Sequence, residues 1–278
     1  MDMESLKVLE WNINQRAYVR EIPEYVTDEI INKNPDVVVL VEFKGEENAQ
    51  IIERKLSEYV VYYYNGVKDS QNSKRLGNGI LIALKKDKFL ALNEGDIYYP
   101  KEGDNKYNQP NWLKIQAQLK NHQTINIIGV RVIVSGGTKQ DLIDRKAQIK
   151  WLLDKNKDAD HQIILGDLNF GPHRTDYRDD IKLNWQDITE MIKDTGYLNQ
   201  ENAPYSPEGT SWRDKKLDWL ITKGVSVKKE SNYNKLDWRF GKYNDNLFVS
   251  GYLVPGDLFI RTDPGNPDHA VLTAEIEI

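Results

Sequence analysis

The sequence predicts an α/β protein, a single domain over residues 1–278, in which buried strands alternate with amphipathic helices. Apolar, β-branched runs bounded by turn-forming residues recur along the chain, the clearest being Val37-Val38-Val39-Leu40-Val41 and Ile163-Ile164-Leu165. Between such runs lie segments with apolar residues at helical spacing, as from Gln140 to Lys155, where Leu142, Ile149, Leu152 and Leu153 share a face. No linker and no repeat at domain scale divides them.

Composition narrows the chemistry. Hydrophobic residues make up 39% and charged residues 29% of the chain, an ordinary balance for a soluble globular protein. No apolar run approaches a membrane span, and Met1-Asp2-Met3-Glu4-Ser5 has neither the basic flank nor the apolar core of a signal peptide, so a cytoplasmic location and no membrane partner are expected. The absence of cysteine excludes disulfides and thiol chemistry, and four His make a histidine-rich zinc cluster hard to build. Any metal would more naturally be a hard cation on Asp, Glu and Asn oxygens. A net charge of −5 argues against a surface that is basic throughout, while leaving room for a local basic groove.

The elements follow in order. Leu6 to Asn14 reads as a strand that ends in two amides, Asn12 and Asn14. Ile22, Val26, Ile30 and Ile31 mark a helix that Pro35 closes, and the Val37–Val41 strand then runs into Glu42. A helix is expected over Glu46–Glu58, a strand over Val60–Tyr64, and another over Ile80–Leu84 after Gly77-Asn78-Gly79, with Leu90–Leu92 as its neighbour. A long polar connection from Asn93 to Asn111 carries Tyr98, Tyr99 and Tyr107. Trp112–Leu119 and Ile125–Val134 read as a hairpin around Asn121-His122, with Arg131 set in the apolar second strand. That arginine must find a carboxylate or a phosphate there. After the helix ending at Lys155, the strand at Ile163 stops abruptly in Gly166-Asp167-Leu168-Asn169-Phe170-Gly171-Pro172. A helix near Trp185–Asp194, a strand at Leu217-Asp218-Trp219-Leu220-Ile221-Thr222 and a closing strand after Asp268-His269 complete the reading. The second Leu-Asp-Trp, at 236–238, is followed by charged and glycine residues and reads as a coincidence without a strand, inside a poorly patterned region from Val225 to Pro267.

Taken singly, each polar residue at a strand end is as compatible with a turn, or with a strand reaching water, as with chemistry. Asn12, Asn14, Glu42, Asp167, Asn169, Asp218 and His269 nevertheless share that position. In a sandwich of two sheets, loops cluster at the ends, so such residues can converge on one rim.

This ordered set resembles the endonuclease/exonuclease/phosphatase (DNase I-like) superfamily. The matching pieces are Trp11-Asn12-Ile13-Asn14, Pro35 through Glu42, Gly79–Leu84, Gly166-Asp167-Leu168-Asn169, Leu217-Asp218-Trp219 and Asp268-His269. The resemblance implies a four-layer α/β sandwich, two packed mixed β-sheets flanked by helices, and phosphoester hydrolysis with Mg²⁺ or Mn²⁺. It makes Glu42 the principal metal ligand, with Asn12 and Asp268 nearby and Asn14 as a further candidate. It gives Asp167 the attacking water, Asn169 a phosphate hydrogen bond, and Asp218 the task of holding His269. His269 then meets a phosphate oxygen, either as a cationic donor or as an acid/base. Two departures stand out: Arg131, where many members have Tyr or His, could clamp phosphate, and Asn14 stands where some relatives carry Asp.

The leading expectation is a phosphodiesterase acting on DNA or RNA, because Glu42-Phe43-Lys44 echoes the acid-x-lysine arrangement of the exonuclease III branch. A phosphomonoesterase acting on an inositide or another small molecule is the alternative, and a non-catalytic binding module on the same fold is a third. No obligate protein partner is implied.

Overall fold

A computed structural model describes residues 4–15, 21–66, 79–100, 109–132, 139–171, 185–199, 216–237 and 269–278. Gly77-Asn78, Tyr107, Ile133-Val134, Pro172 and residues 238–267 of the poorly patterned region lie outside them. So does Asp268.

Two mixed sheets form among these residues. The first contains β1 (Ser5–Asn12), β2 (Val37–Phe43), β3 (Tyr59–Tyr64), β4 (Gly79–Lys85), β11 (Ser226–Val227), β12 (Lys235–Asp237) and β13 (Val271–Glu277), in the order β11-β13-β1-β2-β4-β3, with β12 also on β13. The second runs β5-β6-β7-β8-β10-β9, from β5 (Ile97–Tyr98), β6 (Asn111–Gln118), β7 (Thr124–Arg131), β8 (Gln162–Asp167), β9 (Leu198–Asn199) and β10 (Asp218–Lys223). Among these strands only β1 with β2 and β7 with β8 pair in parallel, each pair joined through a helical crossover.

The alternation along each strand decides what it faces. Val8, Val39, Ile82, Ile127, Leu165, Leu220 and Leu272 form a core between the sheets. The opposite faces of the first sheet pack on α1 (Glu24–Lys33) and α2 (Glu46–Lys55) through Leu9, Trp11, Leu40, Ile30 and Ile52. Those of the second pack on α3 (Lys139–Lys155) and α4 (Trp185–Asp194) through Ile128, Ile164, Leu153 and Ile192. These are the four expected layers. Among the described residues no helix is long and apolar enough to cross a membrane.

Three local expectations are corrected. Leu90–Leu92 is not a strand: Phe89 bridges Leu119 and the Leu90 amide reaches the Gln118 carbonyl, but the segment that pairs along β6 is Ile97–Tyr98. Lys235–Asp237 is a strand, paired with Val271–Thr273 of β13, because Leu236 packs on the inter-sheet core and Lys33 pairs with Asp237. The helix expected to reach Glu58 stops at Lys55, where the Leu56 amide still reaches the Ile52 carbonyl and buried Tyr59 starts β3. The turn at Asn121-His122 forms as expected, with His122 at φ +72°.

Candidate active site

The parallel pairs β1–β2 and β7–β8 end at one rim of the sandwich, and the antiparallel β10 and β13 begin there. Along β1, Leu6 and Val8 point into the inter-sheet core, so Glu10 and Asn12 continue the same side. By the same alternation Arg131 follows Ile125 and Ile127, Asp167 follows Ile163 and Leu165, and Asp218 shares the side of Leu220. The rim is therefore the polar end of the hydrophobic core, and its residues are buried: Asn12 is 1%, Asp167 1%, Asp218 2% and Arg131 2% exposed.

Glu42 reaches this rim by another route. Regular alternation would turn it toward α2, yet Val41 pairs with Ile80 and Phe43 with Gly79, leaving Glu42 as the extra residue of a β-bulge. Phe43 then takes the helix-facing side and Glu42, at φ +55°, is re-aimed. Its Oε1 accepts a hydrogen bond from Arg131 Nε at 2.7 Å, an ion pair that spans the two sheets. Asn14 and Asn169, at φ +50° and +49°, also hold left-handed conformations. Such conformations gather at functional sites because the surroundings must impose them.

At the centre, His269 Nδ1 lies 2.7 Å from Asp218 Oδ2, again across the sheets. Its Nε2 lies 3.4 Å from Asn12 Nδ2, which also donates to Asp167 Oδ2 at 3.2 Å. Asn169 returns to Asp167 twice, through its amide to Oδ1 at 2.7 Å and its side chain to Oδ2 at 2.9 Å. Asn12 Oδ1 accepts the Asn14 amide at 3.0 Å. Asn12, Asn14, Asp167, Asn169, Asp218 and His269 thus converge as expected, with the Arg131–Glu42 pair on the same rim.

A model of the Endonuclease/Exonuclease/phosphatase family matches residues 9–269, from β1 to His269. The chain belongs to the endonuclease/exonuclease/phosphatase family. Members of this family are hydrolases that act on phosphoester bonds. A comparison with curated proteins found no match. Among solved structures, the fold is similar to that of a family protein from Bacteroides thetaiotaomicron, at 13% identity over 100% of this chain and 96% of that one, with a TM-score of 0.64. It is similar to the human nocturnin catalytic domain with bound sulfate, at 14% identity, 98% and 93% coverage and a TM-score of 0.63. A third is D. rerio TDP2 complexed with single strand DNA product, at 15% identity, 98% coverage of both chains and a TM-score of 0.61.

In this family member, electrostatics set Asp167 apart. Burial, and then the like charge of Asp218 opposite it in register, push its carboxyl up to about 7, against the opposing pull of His269 and Arg131. By residue type alone, a hard cation would find a buried carboxylate in Glu42 and amide oxygens in Asn12 and Asn14, of which Asn12 Oδ1 already accepts the Asn14 amide. Among the described residues no three of His, Cys, Asp and Glu are grouped to hold a metal, and Arg131 already supplies Glu42 with positive charge.

The parts played by three residues, Glu10, Trp11 and Arg145, escaped the sequence reading. Glu10 is fully buried, neither carboxyl oxygen has a hydrogen-bond partner among the described residues, and burial, then Asp218, drive its carboxyl well above the ordinary range. Its position two residues before Asn12 on an alternating strand was the available signal. Trp11 Nε1 donates to the His269 carbonyl at 3.4 Å. Arg145, fully buried on α3, pairs with Asp141 at 2.5 Å and reaches the Asn169 carbonyl at 3.4 Å, a contact that helical spacing alone could not reveal.

Proposed function

We propose that residues 1–278 act as one domain that hydrolyses phosphodiester bonds in DNA or RNA, in the cytoplasm, with Mg²⁺ or Mn²⁺ as cofactor. The observation that carries this reading is the meeting of the His269–Asp218 pair with Asp167 around the Asn12 amide. Asp167 takes a proton from the attacking water, a task suited to a carboxyl raised to about 7. Asn12 and Asn169 keep it oriented through their hydrogen bonds. Asp218 accepts from Nδ1 of His269 and leaves Nε2 on the Asn12 side, where a protonated ring donates to a phosphate oxygen. Asn169 would donate to the phosphate by exchanging one of its two side-chain bonds, to the Val132 carbonyl or to Asp167 Oδ2, and Arg131 supplies charge for the phosphate. Glu42, Asn12 and Asp268, with Asn14 as a further candidate, are the residues that would hold the cation, which when bound stabilises negative charge developing on the phosphoryl group. The nucleic-acid preference draws support from D. rerio TDP2, whose structure holds a single strand DNA product.

The test is an assay of purified protein with Mg²⁺ or Mn²⁺ on single- and double-stranded DNA, RNA, bis-p-nitrophenyl phosphate and inositol phosphates. Cleavage of nucleic acid that a chelator abolishes is expected. His269→Ala should lower kcat by about 100- to 10,000-fold with an unchanged circular dichroism spectrum. Release of phosphate from monoesters alone would replace the diesterase reading with a phosphomonoesterase. No turnover on any substrate would leave a binding module.

A further inference from the structure

Among the described strands, β3 and β5 edge the two sheets; Tyr64 closes β3 and Tyr99 follows β5. Their rings stack, with centroids 5.4 Å apart and 20° between the planes. Tyr64 packs against the inter-sheet core, so its ring is held by the fold. Tyr99 leans on that ring with 52% of its surface still in water. A tyrosine that merely sealed the edge of the sandwich would be covered. This one holds an aromatic surface open on a fixed support.

We propose that Tyr64 and Tyr99 form a platform on which an unpaired base of a single-stranded nucleic acid stacks, flanking the scissile phosphate at the rim. The inference rests on the nucleic-acid reading above and narrows it to a strand with unpaired bases. The stack lies at the level of the candidate site. Tyr64 pairs with Ile80, and Ile80 with Val41, the residue before Glu42. In the second sheet β5 runs toward the rim, antiparallel to β6, whose first residue, Asn111, pairs with Arg131. In each sheet two strand spacings, about 10 Å, separate the stack from the strand that carries Glu42 or Arg131. The same edge carries a cation for the backbone of the strand. Lys114 Nζ lies 4.7 Å from the Tyr98 ring centroid and donates to Asn156 Oδ1 at 3.5 Å, with no carboxylate partner among the described residues. Lys114 already faces Tyr98, so Tyr99 is the ring left to a base. Every base has a face to stack, but in a duplex its neighbours cover it, and only an unpaired base can lie on a protein ring.

The test is fluorescence anisotropy of labelled single-stranded DNA and RNA oligonucleotides, under chelator so that they are not cut, with wild type, Tyr99→Ala and Tyr99→Trp. Tyr99→Ala is expected to raise Kd about tenfold and Tyr99→Trp to leave it within about twofold, because stacking needs the ring and not the hydroxyl. Removing the base at successive positions of the strand should cost wild type a similar factor at one position and cost Tyr99→Ala nothing there. A fully paired duplex should bind wild type and Tyr99→Ala equally. Equal Kd of these two proteins for single strands overturns the inference. So does an equal loss on the duplex, which would set Tyr99 against the backbone, and so does a Tyr99→Trp variant as weak as Tyr99→Ala. A wild-type dimer that Tyr99→Ala turns into monomers in sedimentation would also overturn it, since a second copy would then cover the ring. Wild type that neither binds single strands nor cleaves them with Mg²⁺ or Mn²⁺ would bring down the nucleic-acid reading as well. Wild type that cleaves them, beside a Tyr99→Ala variant of unchanged affinity, would bring down the inference alone.

Discussion

Asp167 is protonated more readily in the fold than in the free chain, and the sign of that shift has a measurable consequence. Its folded value is about 7, against roughly 4 for an ordinary Asp. A carboxyl raised in this way stabilises the fold fully below pH ~4, and the contribution is lost as pH rises through about 7. Asn at this position cannot ionise. Urea denaturation of metal-free wild type and Asp167→Asn from pH 4 to 8 should therefore show the variant gaining relative stability with pH, on the order of 1–3 kcal/mol, whatever fixed offset the lost acceptor introduces. A pH-independent difference would mean that Asp167 is ionised throughout. The residues of this centre were legible in the sequence only as a set, because each alone fits a turn or a strand reaching water and it is their shared position at strand ends that points to one rim. Glu10 was not, since it lies inside the run, and the aim of Glu42 was not, since regular alternation points it at α2 and only the bulge turns it back.

Among the elements, α3 does more than cover a sheet. Arg145 and Asp141 form an i, i+4 pair that is 0% and 1% exposed, and Arg145 reaches over to the Asn169 carbonyl, steadying the turn that follows β8. Arg145→Ala removes one member of this buried ion pair, so a loss of about 3–5 kcal/mol is expected in chemical denaturation. Replacing both, as Asp141→Leu with Arg145→Met, should recover most of it. A double variant no more stable than Arg145→Ala would show that the pair matters for the turn rather than for its own charge balance. The long helices and the fully buried strands were readable because their periodicities are strong. Leu90–Leu92 and Lys235–Asp237 were misread because such short strands are made by the partner available: β5 occupies β6, while the outer edge of β13 accepts a segment with no pattern of its own.

For the whole molecule, the decisive feature is that the site belongs to neither sheet. Asn12 and Glu42 come from the first and Arg131, Asp167 and Asp218 from the second, while His269 stands at the start of β13. Both close pairs, His269 with Asp218 and Arg131 with Glu42, span the gap at 2.7 Å. Strand-end residues could be read from sequence, but the separation of the sheets depends on how the core between them fills. Gly129 sets part of that separation. It lies on β7 two residues before Arg131, facing the first sheet, and a Cβ there would stand 2.5 Å from Ile80 Cγ2 and 3.0 Å from Val39 Cγ1. Gly129→Ala should therefore wedge the sheets apart next to the site, costing about 1–3 kcal/mol and lowering kcat although no catalytic group is altered. Ile80→Ala removes the clashing methyl and leaves a cavity, costing about 2–5 kcal/mol by itself. If spacing is the cause, the two changes must be non-additive: the double variant should be more stable than their sum by about 1 kcal/mol or more, and should regain part of the lost kcat. Strict additivity in both quantities would mean that the site tolerates a looser gap than the two cross-sheet pairs imply.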